Sequence, residues 1–139
     1  MKKRRRKPKR RSGRPVGSLE HQARKISQLL KEERWAKALA ALEEYRRYDP
    51  DSEFTLSNIG NCYDQLGEFD QAVDWFAQAV ERHPRRSNLI WGLALSQANA
   101  GHLEAAIASF RRFKQLDPWR ARAFQVDLTI EGLNKILQG

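Results

Sequence analysis

The 139-residue chain holds 26 Lys and Arg against 17 Asp and Glu, a formal net charge of +9, and 40% of it is hydrophobic. A single cysteine excludes an internal disulfide, and no apolar run approaches the length of a membrane span. The positive charge sits at one end: residues 1–17 carry ten Lys or Arg and no acid, whereas residues 18–139 carry sixteen against seventeen acids.

Taken in chain order, the first element is this basic segment. Ten like charges with only Met1 and Val16 as large apolar residues cannot bury enough surface to fold alone, so residues 1–17 are expected to be a disordered tail. Lys2, Lys3, Arg4, Arg5, Arg6, Lys7, Lys9, Arg10, Arg11 and Arg14 make it a candidate contact for nucleic acid or another polyanion. A basic start can imitate the n-region of a secretory signal, but Ser12 to Arg24 is polar throughout and supplies no apolar h-region. The chain therefore reads as intracellular, with nuclear or nucleoid association open through the tail.

From residue 18 onward the pattern repeats. Pro50, Pro84 and Pro118 stand 34 residues apart, each preceded by Asp or His. Ala38, Ala72 and Ala106 precede them by twelve residues, Leu42, Phe76 and Phe110 by eight, and Gly67 and Gly101 precede the last two by seventeen. The glycines mark places where one helix stops and the chain reverses, since glycine takes a left-handed backbone without penalty. Gly60 and Ala94, facing Ala72 and Ala106, let paired helices approach closely, and Tyr63, Phe76 and Phe110 fill the flanking space. Asp-Pro and His-Pro end each second helix, because proline disfavours a helical residue before it.

Three units follow, at 19–52, 53–86 and 87–120, each reading helix, tight turn, helix. The middle unit fits best, while the first carries Ile26 for the small residue and Glu33 for the turn glycine. After Pro118, Val126, Ile130, Leu133 and Leu137 form a single apolar stripe, which predicts one closing helix over 121–138.

A 34-residue period with small, aromatic and proline positions in this order resembles the tetratricopeptide repeat, a helix-turn-helix unit. The resemblance covers roughly residues 19–120 and implies an all-α solenoid of three repeats with a C-terminal solvating helix, stabilised by contacts between neighbours. It also implies a non-enzymatic adaptor that binds a peptide or partner helix in a concave groove lined by the first helix of each repeat. The residues that spacing places on that face are Ala23 and Ser27, then Phe54, Ser57, Asn58 and Asn61, then Asn88, Trp91 and Leu95, continued by Arg122 and Gln125. The asparagines can bond a bound backbone in both directions, and Phe54 and Trp91 offer apolar anchors. Each aromatic has an alternative in packing: Phe54 on the preceding hairpin, Trp91 in the seam between repeats.

The carboxylate clamp by which some tetratricopeptide repeats hold chaperone C-termini needs cations that this chain lacks, since the matching positions are Ala23, Ser27, Asn58, Asn88 and Gly92 and only Asn58 fits. Arg10-Arg11-Ser12-Gly13-Arg14-Pro15 is similar to the minor-groove AT-hook, with Ser12 where the leading arginine belongs. Two other readings stay open: a nucleic-acid-associated protein acting through that tail, and a small secretion chaperone.

Catalytic chemistry has little to stand on. His21, His83 and His102 are isolated from other ligands at metal-binding spacing, no glycine-rich phosphate loop or nucleophile elbow occurs, and no cofactor is implied. Acidic pairs such as Glu32-Glu33 and Glu43-Glu44 lie among Lys and Arg as on a solvated helix face. Cys62, next to Tyr63 on an inward face, is expected to be a buried thiol.

Overall fold

A computed structural model describes residues 17–139, so the basic segment from Lys2 to Arg14, with its AT-hook-like core, lies outside the described residues. Six helices pair into three hairpins: α1 (Leu19–Lys31) with α2 (Trp35–Tyr45), α3 (Glu53–Gln65) with α4 (Phe69–Arg82), and α5 (Ser87–Asn99) with α6 (Leu103–Leu116). Two more follow, α7 (Pro118–Ala123) and α8 (Val126–Gln138), and no strand occurs among the described residues.

The hairpin turns are equivalent. Gly67 and Gly101 adopt φ of +83° and +86°, and Glu33 takes the same left-handed conformation at +58°. In each, the amide three residues past the helix end donates back across the turn: Arg34 to Leu29, Glu68 to Tyr63 and His102 to Gln97, at 2.9, 2.8 and 2.8 Å. These bonds satisfy carbonyls that the helix end leaves without partners. The first repeat thus makes the same turn as the others without its glycine, accepting roughly 1 kcal/mol of backbone strain at Glu33.

The start of α1 is capped by the Ser18 hydroxyl, which accepts from the His21 amide at 3.0 Å. Ser52 does the same for α3, accepting from the Thr55 amide at 3.1 Å, while its own hydroxyl donates to Asp49 at 2.8 Å. The Thr55 hydroxyl donates to the same carboxylate, which lets this threonine be fully buried. Proline stops behave unequally. α4 and α6 end directly before His83-Pro84 and Asp117-Pro118, whereas α2 ends at Tyr45 and hydrogen-bonded turns carry the chain to Asp49 before Pro50.

Packing follows the small-residue positions. Ala38, Ala72, Ala94 and Ala106 are fully buried at the helix crossings. One cluster gathers Ile26, Leu42, Ile59 and Cys62, and a larger one runs from Leu56 and Val80 through Leu89, Ile90, Phe110 and Phe113 to Val126 and Ile130. Trp75 of α4 touches both, with the Arg46 guanidinium 5.1 Å above its ring.

The closing element departs from the single helix expected over 121–138. Pro118 occupies the first turn of α7 and the Asp117 carboxylate accepts from the Arg120 amide at 3.1 Å, so the chain re-enters a helix at once. That six-residue helix ends at Phe124–Gln125, where Gln125 is left-handed at φ +56°, and α8 begins afresh at Val126. Both pack on α6. Val126 and Ile130 are buried as the stripe predicted, but Leu137 is exposed, as are Leu128 and Ile136 at 61% and 65%.

Candidate functional site

Neighbouring first helices α3 and α5 touch, whereas the second helices α4 and α6 make no contact. The second and third hairpins therefore draw together along an inner row of first helices, which carries the expected groove residues of α3 and α5. On α3, Phe54, Asn58 and Asn61 follow one another at spacings of four and three and share a face, as do Asn88, Trp91 and Leu95 on α5.

What these side chains do differs from one to the next. Asn61 is half-buried and makes no hydrogen bond to any described residue; Ser57 beside it is in the same state. Asn58 donates to the Phe54 carbonyl at 2.8 Å, which leaves its own oxygen as an acceptor. Leu95 is 38% exposed, and Ser27 on α1 is exposed. These side chains are uncharged, and all but Leu95 are polar.

Three expected groove residues are committed elsewhere. Asn88 donates at 2.7 Å to Glu53, whose other carboxylate oxygen accepts from Arg86 at 2.6 Å. That bond from Asn88 above all, aided by the Arg86 guanidinium, holds the Glu53 carboxyl below its ordinary pKa against the opposing effect of burial. Phe54 packs edge-on against Tyr45 of the preceding hairpin, centroids 5.6 Å apart. Trp91 stands in an aromatic cluster with Phe124, Phe113 and Phe110 at 4.7, 5.1 and 5.6 Å. It is partly exposed and braces the seam between the third hairpin and the closing helices.

Arg122 and Gln125 do not continue the row, because the left-handed break at Gln125 interrupts it. They line instead a hollow of about 380 Å³ between α6, α7 and α8, with Lys114, Asp127 and Leu128. Gly92 is a packing position that spacing alone undervalued, since it receives the Phe76 ring from α4. The sequence signal available for it was its place one helical turn after Asn88 and facing the same aromatic as Gly60.

Histidines serve structure. His83 Nε2 bonds the Asp51 carbonyl and His102 Nε2 bonds Asp70, both at 2.8 Å. Among the described residues no three His, Cys, Asp or Glu come together as a metal site would require. Burial pushes the Cys62 thiol up to about 11, so at neutral pH it is protonated and a poor nucleophile. No helix of the described residues is long and apolar enough to cross a membrane.

A profile of the family described as tetratricopeptide repeat matches residues 29–94, which covers the end of the first hairpin, all of the second and the start of the third. Residues 29–94 are tetratricopeptide repeat sequence. A stretch of 52 residues, 37% of the chain, is 36% identical to the TPR repeat-containing protein YpiA of Bacillus subtilis (strain 168). The chain spans only 12% of that relative's length.

Solved tetratricopeptide structures share the whole fold. The first TPR of Spaghetti (RPAP3), bound to the HSP90 peptide SRMEEVD, superposes with a TM-score of 0.78 at 16% identity over 87% of this chain and 94% of that one. SycD, a type III secretion translocator chaperone of Yersinia enterocolitica, superposes with a TM-score of 0.79 at 13% identity over 87% and 86%. These TM-scores establish a common fold of paired helices for this chain and the two solved structures.

Proposed function

We propose that the protein is a non-enzymatic adaptor that holds an extended peptide or a partner helix in the groove of α1, α3 and α5. The observation that carries this is Asn61: a half-buried carboxamide without a protein partner, between Ser57 and the exposed Leu95 on the inner row. Polar groups withdrawn from water normally have partners, and a ligand backbone supplies both the donor and the acceptor that an amide lacks. Leu95, with the exposed edge of Trp91, offers the apolar contact that complements such bonding. Because Ala23, Ser27 and Gly92 bring no cation to the groove, the ligand is held along its length instead of by a terminal carboxylate.

Peptide display against the intact chain tests this. Selected peptides should lose at least tenfold in affinity to Asn61→Ala and to Leu95→Lys at unchanged melting temperature. Retained binding in both variants rejects the groove.

The basic segment favours a second role beside the first, as a tether to a polyanion. Ten cations before Gly17 with no acid among them would give a salt slope of roughly 5–9 on duplex DNA if most meet phosphates. A chain beginning at Ser18 should keep its helicity and groove partner and lose most of that affinity; equal binding by the shortened chain rejects the tether.

A further inference from the structure

Gly132 stands apart from the other helical glycines. Gly60 and Gly92 make room for the Phe76 ring, whereas a Cβ at Gly132, at the centre of α8, would meet no neighbouring side chain within 4 Å. Glycine inside a helix is destabilising relative to alanine, so nothing in the chain's own packing accounts for it. The residues one turn to either side, Leu128 and Ile136, are 61% and 65% exposed. A spacing of four puts them on the same outer face as Gly132, while Val126, Ile130 and Leu133 turn inward to the core.

The charges of α8 complete this face. There are three, Asp127, Glu131 and Lys135, and Asp127 is bound to Lys114 of α6 at 2.8 Å. Glu131 and Lys135 are exposed and form no ion pair with any described residue, although they stand one turn apart. Both lie on one flank of the Gly132 face, since steps of −1 and +3 residues turn a helix by about −100° and about −60°. The other flank, with Thr129, is uncharged. The hollow beside Leu128 adds Arg122 of α7 and the already bound Lys114.

Such a face is complementary to itself. A two-fold axis at Gly132 that pairs α8 with an antiparallel copy sets each residue against the one equally far on the other side of Gly132. Leu128 of either copy then meets Ile136 of the other. The axis keeps each flank on its own side, so Lys135 of one copy stands only about 3 Å along the helix from Glu131 of the other, within reach of an ion pair. A parallel pair would leave these charges on opposite flanks. With no side chain at the crossing, the backbones can approach to the short end of the usual separation of about 8–10 Å.

We propose that α8 is a dimerisation helix, which packs antiparallel on α8 of a second copy of this chain with Gly132 at the crossing. The groove residues lie on α3 and α5, so peptide binding and dimerisation stand or fall separately. Trp119, 80% exposed on α7, and Leu116 at the end of α6 lie outside the α8 face.

Sedimentation equilibrium of the full chain over a concentration series tests this. One helix face is smaller than a standard interface of about 1,600 Å², so a dissociation constant in the micromolar range is expected. Gly132→Leu should weaken the dimer roughly tenfold or more by filling the crossing, while its higher helix propensity keeps the fold intact. Leu128→Gln/Ile136→Gln should do the same. Glu131→Lys and Lys135→Glu alone should each dimerise about fivefold more weakly, because two exposed pairs become like-charged. Mixed, these two variants should form a heterodimer as tight as the wild-type dimer, since every pair is again opposite in sign. A chain still monomeric at about 1 mM overturns the proposal. So does a dimer that Gly132→Leu and Leu128→Gln/Ile136→Gln leave unchanged, or a mixture no tighter than its components. Loss of the dimer in Trp119→Ala but not in Gly132→Leu would move the interface to α7 and overturn it as well.

Discussion

Phe76 of α4 is clasped between two glycines on different helices, Gly60 of α3 and Gly92 of α5. A Cβ at Gly92 would run into Cε1 of the ring, with Cδ1 and Cζ at 2.8 Å, and one at Gly60 would meet Cδ2 and Cε2 at 2.9 Å. One ring thus fastens its own hairpin and the next repeat together, and it can do so only because both facing positions lack side chains.

Gly92→Ala should consequently destabilise the protein. In an open helix this change gains about 1 kcal/mol in propensity. Against a rigid ring the overpacking penalty of roughly 1–3 kcal/mol outweighs it. Thermal unfolding should show a lowered midpoint, and Phe76→Leu added to Gly92→Ala should recover part of it. A midpoint that rises in Gly92→Ala would mean that the ring yields freely.

Trp91→Ala should be costly, whereas Asn61→Ala should not. Removing a half-buried indole from contact with Phe110, Phe113 and Phe124 should cost about 2–3 kcal/mol. Asn61 has no hydrogen bond to lose, so its variant should unfold within about 0.5 kcal/mol of wild type. Urea denaturation of the two variants checks both.

Acid should weaken the junction between the second and third repeats. Asn88 and then Arg86 hold the Glu53 pKa below the ordinary glutamate value of 4.5. A carboxyl depressed on folding contributes stability above its unfolded pKa and loses it as pH falls through the lower folded value. Glu53→Gln should therefore be less stable than wild type at pH 7, with the difference narrowing below pH 4.5. Stability curves from pH 7 to about pH 2.5 read this out, a range that spans the ordinary glutamate titration.

Cys62 should resist modification in the folded chain. Its thiol is raised from 9.0 to about 11 by burial, so the neutral form is favoured, and the associated stability is complete below 9.0 and lost as pH rises through about 11. Labelling with a thiol reagent at neutral pH should be at least tenfold slower than in denaturant. Equal rates would show that the packing between the first and second hairpins opens readily.

The 34-residue recurrence of proline, glycine and alanine was enough to lay out three hairpins, because each of those residues acts locally. Gly67 and Gly101 permit a left-handed turn, Ser18 and Ser52 cap the helices that follow them, and the alanines admit a close crossing whatever lies further away. Periodicity also groups Asn58, Asn61 and Leu95 as expected groove residues, since spacings of three and four put side chains on one side of a helix.

Tertiary structure alone decided how those faces are used. Asn88 leaves the groove for a glutamate 35 positions earlier, and Trp91 turns to a phenylalanine beyond α6. The closing helix breaks at Gln125, where the stripe from Val126 to Leu137 gave no hint. Helical spacing states which side chains share a surface, but the partner that meets that surface comes from a different repeat.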